Sequence, residues 1–370
     1  MRTSVCNMFN IELPIFAFSH CRDVVAEVSK AGGMGVLGTA YLGPEELEQE
    51  LKWIDEHVEG KPYGVDMLMP GNFETLGSSK TDLSALPEGH VKFLRELLDN
   101  AGIRRLPEDE REKMLLDEIR KLHFTPEESA ELFEVALRHP VKLVVSALGV
   151  PPRALVDRLH SRSIKVGSLI GNLKHALRQK AGGVDLLVAQ GMEAGGHTGQ
   201  ITSMILWPEV VDAVAPLPVL AAGGIGRGRQ MAAALALGAQ GIWCGSIWLG
   251  TTQSELTPAM KQRFFEAAAE DTVQTRIRSG KPARLLRSKL TDAWEQPGAP
   301  KSLPTPWQPI LMVESRLRID RAQAREFMTY PVGQIVGRMK EEISVKQVIY
   351  DMLEEFIAAS ERLSALINQE

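Results

Sequence analysis

Eight short apolar runs, separated by stretches with helical periodicity, constrain this chain more than any other feature of its sequence. They lie at 13–18, 34–39, 63–69, 141–148, 164–170, 184–189, 218–222 and 241–244. Most are apolar at successive positions, the pattern of strands buried on both faces in a parallel sheet covered by helices. Between the early runs, Val24, Val25 and Val28 form one stripe stopped by Gly32-Gly33. Leu47, Leu51, Ile54 and Val58 form another behind Pro44, so helices alternate with strands. Eight such units in roughly 250 residues plus an insertion is the count of an α/β (β/α)8 TIM barrel. An open doubly wound sheet would carry a GxGxxG turn after its first strand, and none stands there.

The rhythm breaks once. Residues 70–140 follow the third run, far beyond the roughly two to six residues of an ordinary βα loop. The segment opens with a Gly/Ser/Thr-rich loop and continues as three expected helices at 90–100, 107–122 and 126–138, the last started by Thr125 with Glu128 three residues on. The expected organisation is a barrel at 1–69 and 141–290, a helical insert at 70–140, and a C-terminal extension at 291–370 packed on the barrel. An insert after a barrel strand lies beside the catalytic mouth, which suits a lid or substrate-shaping subdomain, with dimerisation as the plainer role. Residues 258–286 read as helices and a loop. The closing helix shows a capping box, Ser344 with Gln347, and one apolar stripe of Val345, Val348, Ile349, Met352, Leu353, Phe356 and Ile357. It should pack on the barrel or on a second subunit, so a homodimer is possible.

Composition narrows the partners. A formal charge of −5 without a Lys/Arg block gives no reason to expect nucleic acid or an anionic membrane. No apolar run approaches the roughly 18 residues of a membrane span, and no signal peptide precedes Met8. Three cysteines, Cys6, Cys21 and Cys244, match no disulfide framework or zinc site. The expectation is a cytoplasmic protein acting on a small molecule.

Two glycine-rich turns concentrate the chemistry. After the sixth run the chain reads QGMEAGGHTG, where Gln190, Glu193, His197 and Thr198 are the polar side chains among glycines that allow close backbone approach to a flat ligand. After the seventh and eighth runs, AAGGIG and CGS place backbone amides at Ala222, Gly223, Gly224, Gly245 and Ser246, where a barrel's phosphate site usually sits. The plain alternative is that these glycines only make tight turns, and for His197 that it caps its own loop. Arg227 and Arg229 read as solvent-facing. A flavin-free phosphate-sugar isomerase or lyase would use the same nests. Cys21, beside a helix N-terminus, could have a lowered pKa, and His20 could line the mouth or pack there. Cys244 reads as core, and His57, His90, His123, His139, His160 and His175 as surface.

GMEAGGHTG, followed by VLAAGGIGRGRQMAAALALGAQGIWCGSIWL and DTVQTRIRSGKPARLLR, resembles the FMN-dependent TIM barrels of the nitronate monooxygenase (2-nitropropane dioxygenase) family. Its close relatives include FMN-type enoyl-acyl-carrier-protein reductases and some NADH:quinone reductases. The resemblance runs from Pro14 to about Gly337 without the insert. It implies that His197 is the catalytic histidine, that Gln190, Gly195 and Gly196 lie beside the isoalloxazine and ribityl chain, and that Gly223, Gly224, Gly245 and Ser246 hold the FMN phosphate. Ala17, Phe18, Ser19 and Asp66 correspond to positions contacting the flavin ring, and Lys281-Pro282-Ala283-Arg284 to a segment near the mouth. Two departures stand out: Phe18-Ser19-His20-Cys21 replaces a small Met-Ala-Gly-like turn, and Asp66 replaces the usual Asn. A carboxylate there would disfavour an anionic reduced flavin unless it is protonated or turned away.

The implied activity is oxidation of alkyl nitronates with dioxygen. A histidine near neutral pKa could stabilise the nitronate by hydrogen bonding, or abstract an α-proton from a neutral nitroalkane. The alternative is an NAD(P)H-dependent reductase of an enoyl thioester or quinone, in which the same histidine polarises the carbonyl.

Overall fold

A computed structural model of the chain describes residues 2–68, 81–122, 126–147 and 149–367. Met69 and Leu148, the expected ends of two strands, the loop 70–80, Thr125 and His123 lie outside the described residues. In chain order the strands are β1 (Ile15–Ser19), β2 (Met34–Gly38), β3 (Tyr63–Met67), β4 (Leu143–Ser146), β5 (Lys165–Ile170), β6 (Leu186–Gln190), β7 (Gly196–His197), β8 (Val219–Ala222), β9 (Gly241–Cys244), β10 (Thr272–Thr275) and β11 (Ala283–Leu286). Strands β1 to β6, β8 and β9 form a closed barrel. All its neighbours are parallel, and β9 closes it against β1 with Phe16 opposite Trp243 and Ala17 opposite Cys244. The (β/α)8 barrel expected from the eight runs is therefore present.

Because side chains alternate along a strand, each barrel strand feeds two layers. Outward residues such as Ile15, Leu37, Val65, Val144, Val166, Leu187, Ala221 and Cys244 pack under the helices. Inward residues, among them Phe16, Met34, Val36, Leu143, Val145, Leu186, Val188, Leu220 and Trp243, fill the interior. A short helix that the periodicity did not reveal, α1 (Ser4–Phe9), closes one end of this interior with Val5, Cys6 and Phe9. Phe9, Phe16, Trp243 and Phe18 follow one another at centroid separations of 5.6, 6.5 and 6.2 Å. This aromatic column fills the bore as far as the C-terminal ends of the strands, so only that end is left to form a site.

Around the barrel run α2 (Arg22–Lys30), α3 (Pro44–His57), α4 (Glu88–Asn100), α5 (Glu108–Arg120), α6 (Pro126–Ala136), α7 (Arg153–His160), α8 (Leu173–Gly182), α9 (Ser203–Val214) and α10 (Gly228–Ala236). They are followed by α11 (Pro258–Glu266), α12 (Lys289–Trp294), α13 (Trp307–Ala322) and α14 (Val345–Ile367). Within the span read as an insert, α6 packs on α3 and β3, the position of the third barrel helix, whereas α4 and α5 pack on α13 of the extension. His139, expected at the surface, is buried with Nδ1 2.7 Å from Asp55, because α6 brings its end against α3. Residues 258–286 depart from the expected helices and loop. After α11 they form the antiparallel pair β10–β11, which adds β7 on its other edge. β-branched Thr272, Val273 and Thr275 suit the extended chain, but so short a run has no helical or strand period long enough to read.

Among the described residues no helix is long and apolar enough to cross a membrane. α14 packs on α10 and α2. It buries Val345, Val348, Ile349 and Met352 of the expected stripe, while Ile357 stays exposed. The approach is close because Gly228 opens α10: a Cβ there would lie 1.8 Å from the Met352 carbonyl oxygen and 2.5 Å from the Phe356 nitrogen. Arg227, expected to face solvent, is instead half-buried and paired with Glu355, its Nε 2.9 Å from Oε1. Gly228→Ala must therefore push α14 off α10. It should lower unfolding stability by about 2–3 kcal/mol, the upper part of the overpacking range, as read from urea melts of both proteins. An unchanged midpoint would contradict the packing.

Candidate active site

The inward positions nearest the open end of the barrel are Phe18, Gly38, Asp66, Gln190, Ala222 and Gly245, since their strand neighbours Ala17, Leu37, Val65, Ala189, Ala221 and Cys244 all face outward. Small residues at Ala222 and Gly245 leave a floor on which a flat ring can lie, whereas at Gly38 the space a Cβ would take is filled by the rings of His20 and Phe18, 2.7–2.8 Å away. The alternation separates the strand-one trio. Only Phe18 presents its side chain to this floor. Ala17 is buried under the helices, and Ser19 Oγ accepts the Cys21 amide at 3.1 Å, so either can meet a ligand through backbone alone. Asp66 is 6% exposed, and burial pushes its carboxyl up to about 8. It is therefore predominantly protonated at neutral pH, so the negative charge that its residue type suggested is absent there.

Two turns stack on one side of this floor. Gly223 and Gly224 have φ of 114° and 63°, in the left-handed region that favours glycine. Among the described residues, the amides of Gly223, Gly224 and Ile225 have no protein acceptor. Gln230 fixes the turn: its Oε1 accepts from Gly226 N at 3.0 Å and its Nε2 donates to Gly224 O at 2.8 Å. The N-terminus of α10 follows immediately. Unsatisfied amides at a helix start form an anion cradle, so these residues fit a phosphate. Ser246 lies across from them at the end of β9, its Oγ accepting the Gly333 amide at 2.8 Å.

The loop after β6 is held from both sides. The carboxylate of Glu193 accepts from Ser203 N at 3.1 Å and from Ser203 Oγ at 2.8 Å, satisfying the start of α9. The Glu193 carbonyl accepts the Gln334 amide at 2.9 Å. A Cβ on Gly195 would lie 2.7 Å from the backbone of Val332 and Gly333. Gly195 is thus required by the C-terminal extension, whatever else it touches. Gly196 has φ of 74°, and a Cβ there would meet Pro331 Cβ at 4.0 Å, an ordinary contact.

Beyond Gly195 the chain enters β7, where His197 pairs with Ala283 of β11 and Gly196 with Arg284. His197 is exposed. Its Nε2 lies 2.6 Å from Ser279 Oγ. Removal of water by surrounding protein, with the charges of Arg278 and Lys281, pulls its pKa down to about 4. The near-neutral value expected from the residue type is therefore corrected: the imidazole is uncharged throughout the physiological range. Ser279 is in turn held by α13, since Thr305 Oγ1 donates to Ser279 O at 2.6 Å and Gln308 Nε2 to Ile277 O at 2.7 Å.

Arg278 lies near both histidines of the mouth. Its Nη2 donates to Tyr41 Oη at 2.6 Å, and its guanidinium stands 5.6 Å from the centre of that ring. The His20 ring lies 5.6 Å from Tyr41 and 5.2 Å from Phe18, and its Nδ1 donates to Gly38 O at 2.9 Å. His20 therefore belongs to the mouth, and burial lowers its pKa, with Arg278 adding to the effect. Cys21 does not become acidic. Burial raises its pKa, Glu255 and Asp23 add to the rise, and the α2 amides that pull it down do not overcome them. Tyr41 had no motif to announce it, whereas Arg278 and Ser279 lie within DTVQTRIRSGKPARLLR, a string that carried the resemblance without marking either of them as a site residue. Among the described residues no cluster suits a metal ion.

Residues 5–355 match the family model described as nitronate monooxygenase. The chain is 48% identical, across the whole of both chains, to Rv1533 of Mycobacterium tuberculosis, described as a monooxygenase. It is 30% identical to a Bacillus subtilis protein described as a nitronate monooxygenase, with 90% of this chain and 92% of the relative covered. Among solved structures it resembles nitroalkane oxidase from Streptomyces ansochromogenes with a TM-score of 0.80 at 26% identity, covering 97% of this chain and 99% of that one. FabK from Thermotoga maritima gives 0.74 at 26% identity, covering 99% of each.

The buried carboxyl yields a stability test. With a folded pKa of about 8 against 3.8 for the ordinary group, Asp66 favours the fold fully below about pH 4, and that contribution is lost as pH rises through about 8. Asp66→Asn should remove this dependence and unfold later than the parent protein from about pH 7 upward, by as much as several kcal/mol at ~1.4 kcal/mol per pKa unit. Urea melts at intervals from pH 5 to 9 check it, and parallel curves for the two proteins would refute the protonated state.

Proposed function

This chain belongs to the nitronate monooxygenase family, and on that premise we propose that it is an FMN-dependent oxidoreductase that oxidises alkyl nitronates with dioxygen. The free amides of Gly223, Gly224 and Ile225, with Gly245 and Ser246 opposite, would hold the FMN phosphate. The ring would rest on the floor formed by Phe18, Asp66, Gln190, Ala222 and Gly245, beside Gly195 and Gly196. When bound, FMN supplies the redox chemistry, accepting electrons from the substrate and passing them to dioxygen. Everything else is left to the protein. Asp66, protonated, can donate a hydrogen bond where an ionised carboxylate would repel negative charge.

The observation that carries the substrate assignment is the state of His197. A general base works best with a pKa near the working pH, and at about 4 this imidazole is a weak one. It is well suited to a different task. In the tautomer in which Ser279 donates to Nε2, the ring proton sits on Nδ1, which has no partner among the described residues and can donate to an oxygen of an anion. That favours a nitronate, already deprotonated, over the neutral nitroalkane. Arg278 and Lys281 raise the local positive potential for the same anion.

Anaerobic mixing tests the reading. Bleaching of the yellow protein by an alkyl nitronate alone, with turnover on admitting oxygen, is expected. Rapid bleaching by NADH or NADPH with reduction of an enone would identify the alternative reductase, and a colourless protein that refuses FMN would return the phosphate-sugar lyase. His197→Ala should keep the visible flavin spectrum and lose roughly a hundredfold or more in kcat/KM. The pH profile of kcat/KM for the nitronate should show no limb from His197 between about pH 5.5 and 8. A limb near 6.5 that vanishes in the alanine variant would overturn the neutral-donor role.

A further inference from the structure

Away from the mouth, α4, α5 and α13 line a pocket of about 310 Å3, partly open to solvent, that shares no lining residue with the barrel strands. Its walls are mostly apolar, built from Leu94, Leu115, Ile119, Ile310 and Leu311. The volume is at the lower end of the range of small-ligand pockets, roughly 300–1,000 Å3.

The polar part of the lining is Arg95, Arg111, Arg318 and Glu314, with Ser84 and Ser315. Arg111 Nη2 and Arg95 Nη2 both donate to Glu314 Oε2, at 2.5 and 3.2 Å. Arg318, whose side chain has no exposed surface, donates to Asp99 Oδ1 at 2.6 Å and to the carbonyls of Ile103 and Arg104 at 2.5 and 3.1 Å. Three guanidiniums thus face two carboxylates, leaving positive charge in excess. Two of their nitrogens, Arg111 Nε and Arg318 Nη1, are buried without a partner. A buried N–H with no acceptor is costly, and both nitrogens belong to side chains that line the pocket, so that a small shift of either guanidinium toward a bound acceptor would satisfy it.

We propose that this cavity is a second ligand site, which takes a small amphipathic carboxylate with its tail among α4, α5 and α13 and its head at Arg111 and Arg318. Charge selects the head, because an oxygen acceptor bearing a negative charge answers both the excess cation and the orphaned donors. Size and wall chemistry select the tail: a medium-length acyl or aryl group.

The test titrates sodium octanoate into the flavin-loaded protein by calorimetry, with 1-octanol as the uncharged analogue. Saturable one-to-one binding of octanoate is expected. Arg111→Met should weaken octanoate at least tenfold and leave octanol unchanged, and Val91→Phe, which fills the cavity from a half-buried position of α4, should weaken both. His197→Ala should alter neither. No saturable octanoate binding to the parent protein would overturn the proposal. So would binding that survives both cavity variants, or binding abolished by His197→Ala, which would place it at the mouth.

Discussion

The close approach of two backbones at Gly195 and Gly333 is the contact on which the site depends. The loop after β6 contains no regular structure until β7, so it has little stiffness of its own. It is held between the start of α9, through Glu193 and Ser203, and the extension, through the Glu193 carbonyl and the Gln334 amide. Side chains at either glycine would force the two strands of chain apart, since the added Cβ atoms would fall 2.6–2.7 Å from backbone atoms. His197 is two residues beyond Gly195. Its position therefore rests on the C-terminal extension as much as on the barrel strand that precedes it.

The same arrangement decides the electrostatics. Two groups that would ordinarily be charged or half-charged at neutral pH are held neutral: Asp66 by burial, and His197 by loss of water and by two nearby cations. The charges beside His197 are those of Arg278 and Lys281, while the Glu193 carboxylate of the same loop is turned to Ser203. A site so built suits an anion, and its neutral imidazole is a hydrogen-bonding group rather than a strong base. Stored protonation states of this kind lower stability, which proteins accept at functional sites.

The helices outside the barrel divide by what they pack against. α6 completes the ring of barrel helices, while α4, α5 and α13 form a layer of their own around the second cavity. α13 belongs to both settings. Its first turn holds the strap carrying Ser279, and its later turns line the cavity.

The sequence by itself determined the barrel, the place of the glycine-rich turns and the histidine on the sixth strand's loop. Those features are local, since apolar runs, glycine turns and helix caps are set by residues a few positions apart. Even the inward and outward faces of strand one follow from its period of two, once burial shows which face is which. Tertiary structure alone decided the partners and the charges. Ser279 reaches His197 across 82 residues and Arg278 reaches Tyr41 across 237, distances over which no pattern in the chain signals contact. The β10–β11 pair was illegible for a related reason, because strands of four residues become strands by finding an edge to join. The pKa values of Asp66, His197 and Cys21 moved away from expectation because desolvation is a property of the packed surroundings, and residue type supplies only the starting value.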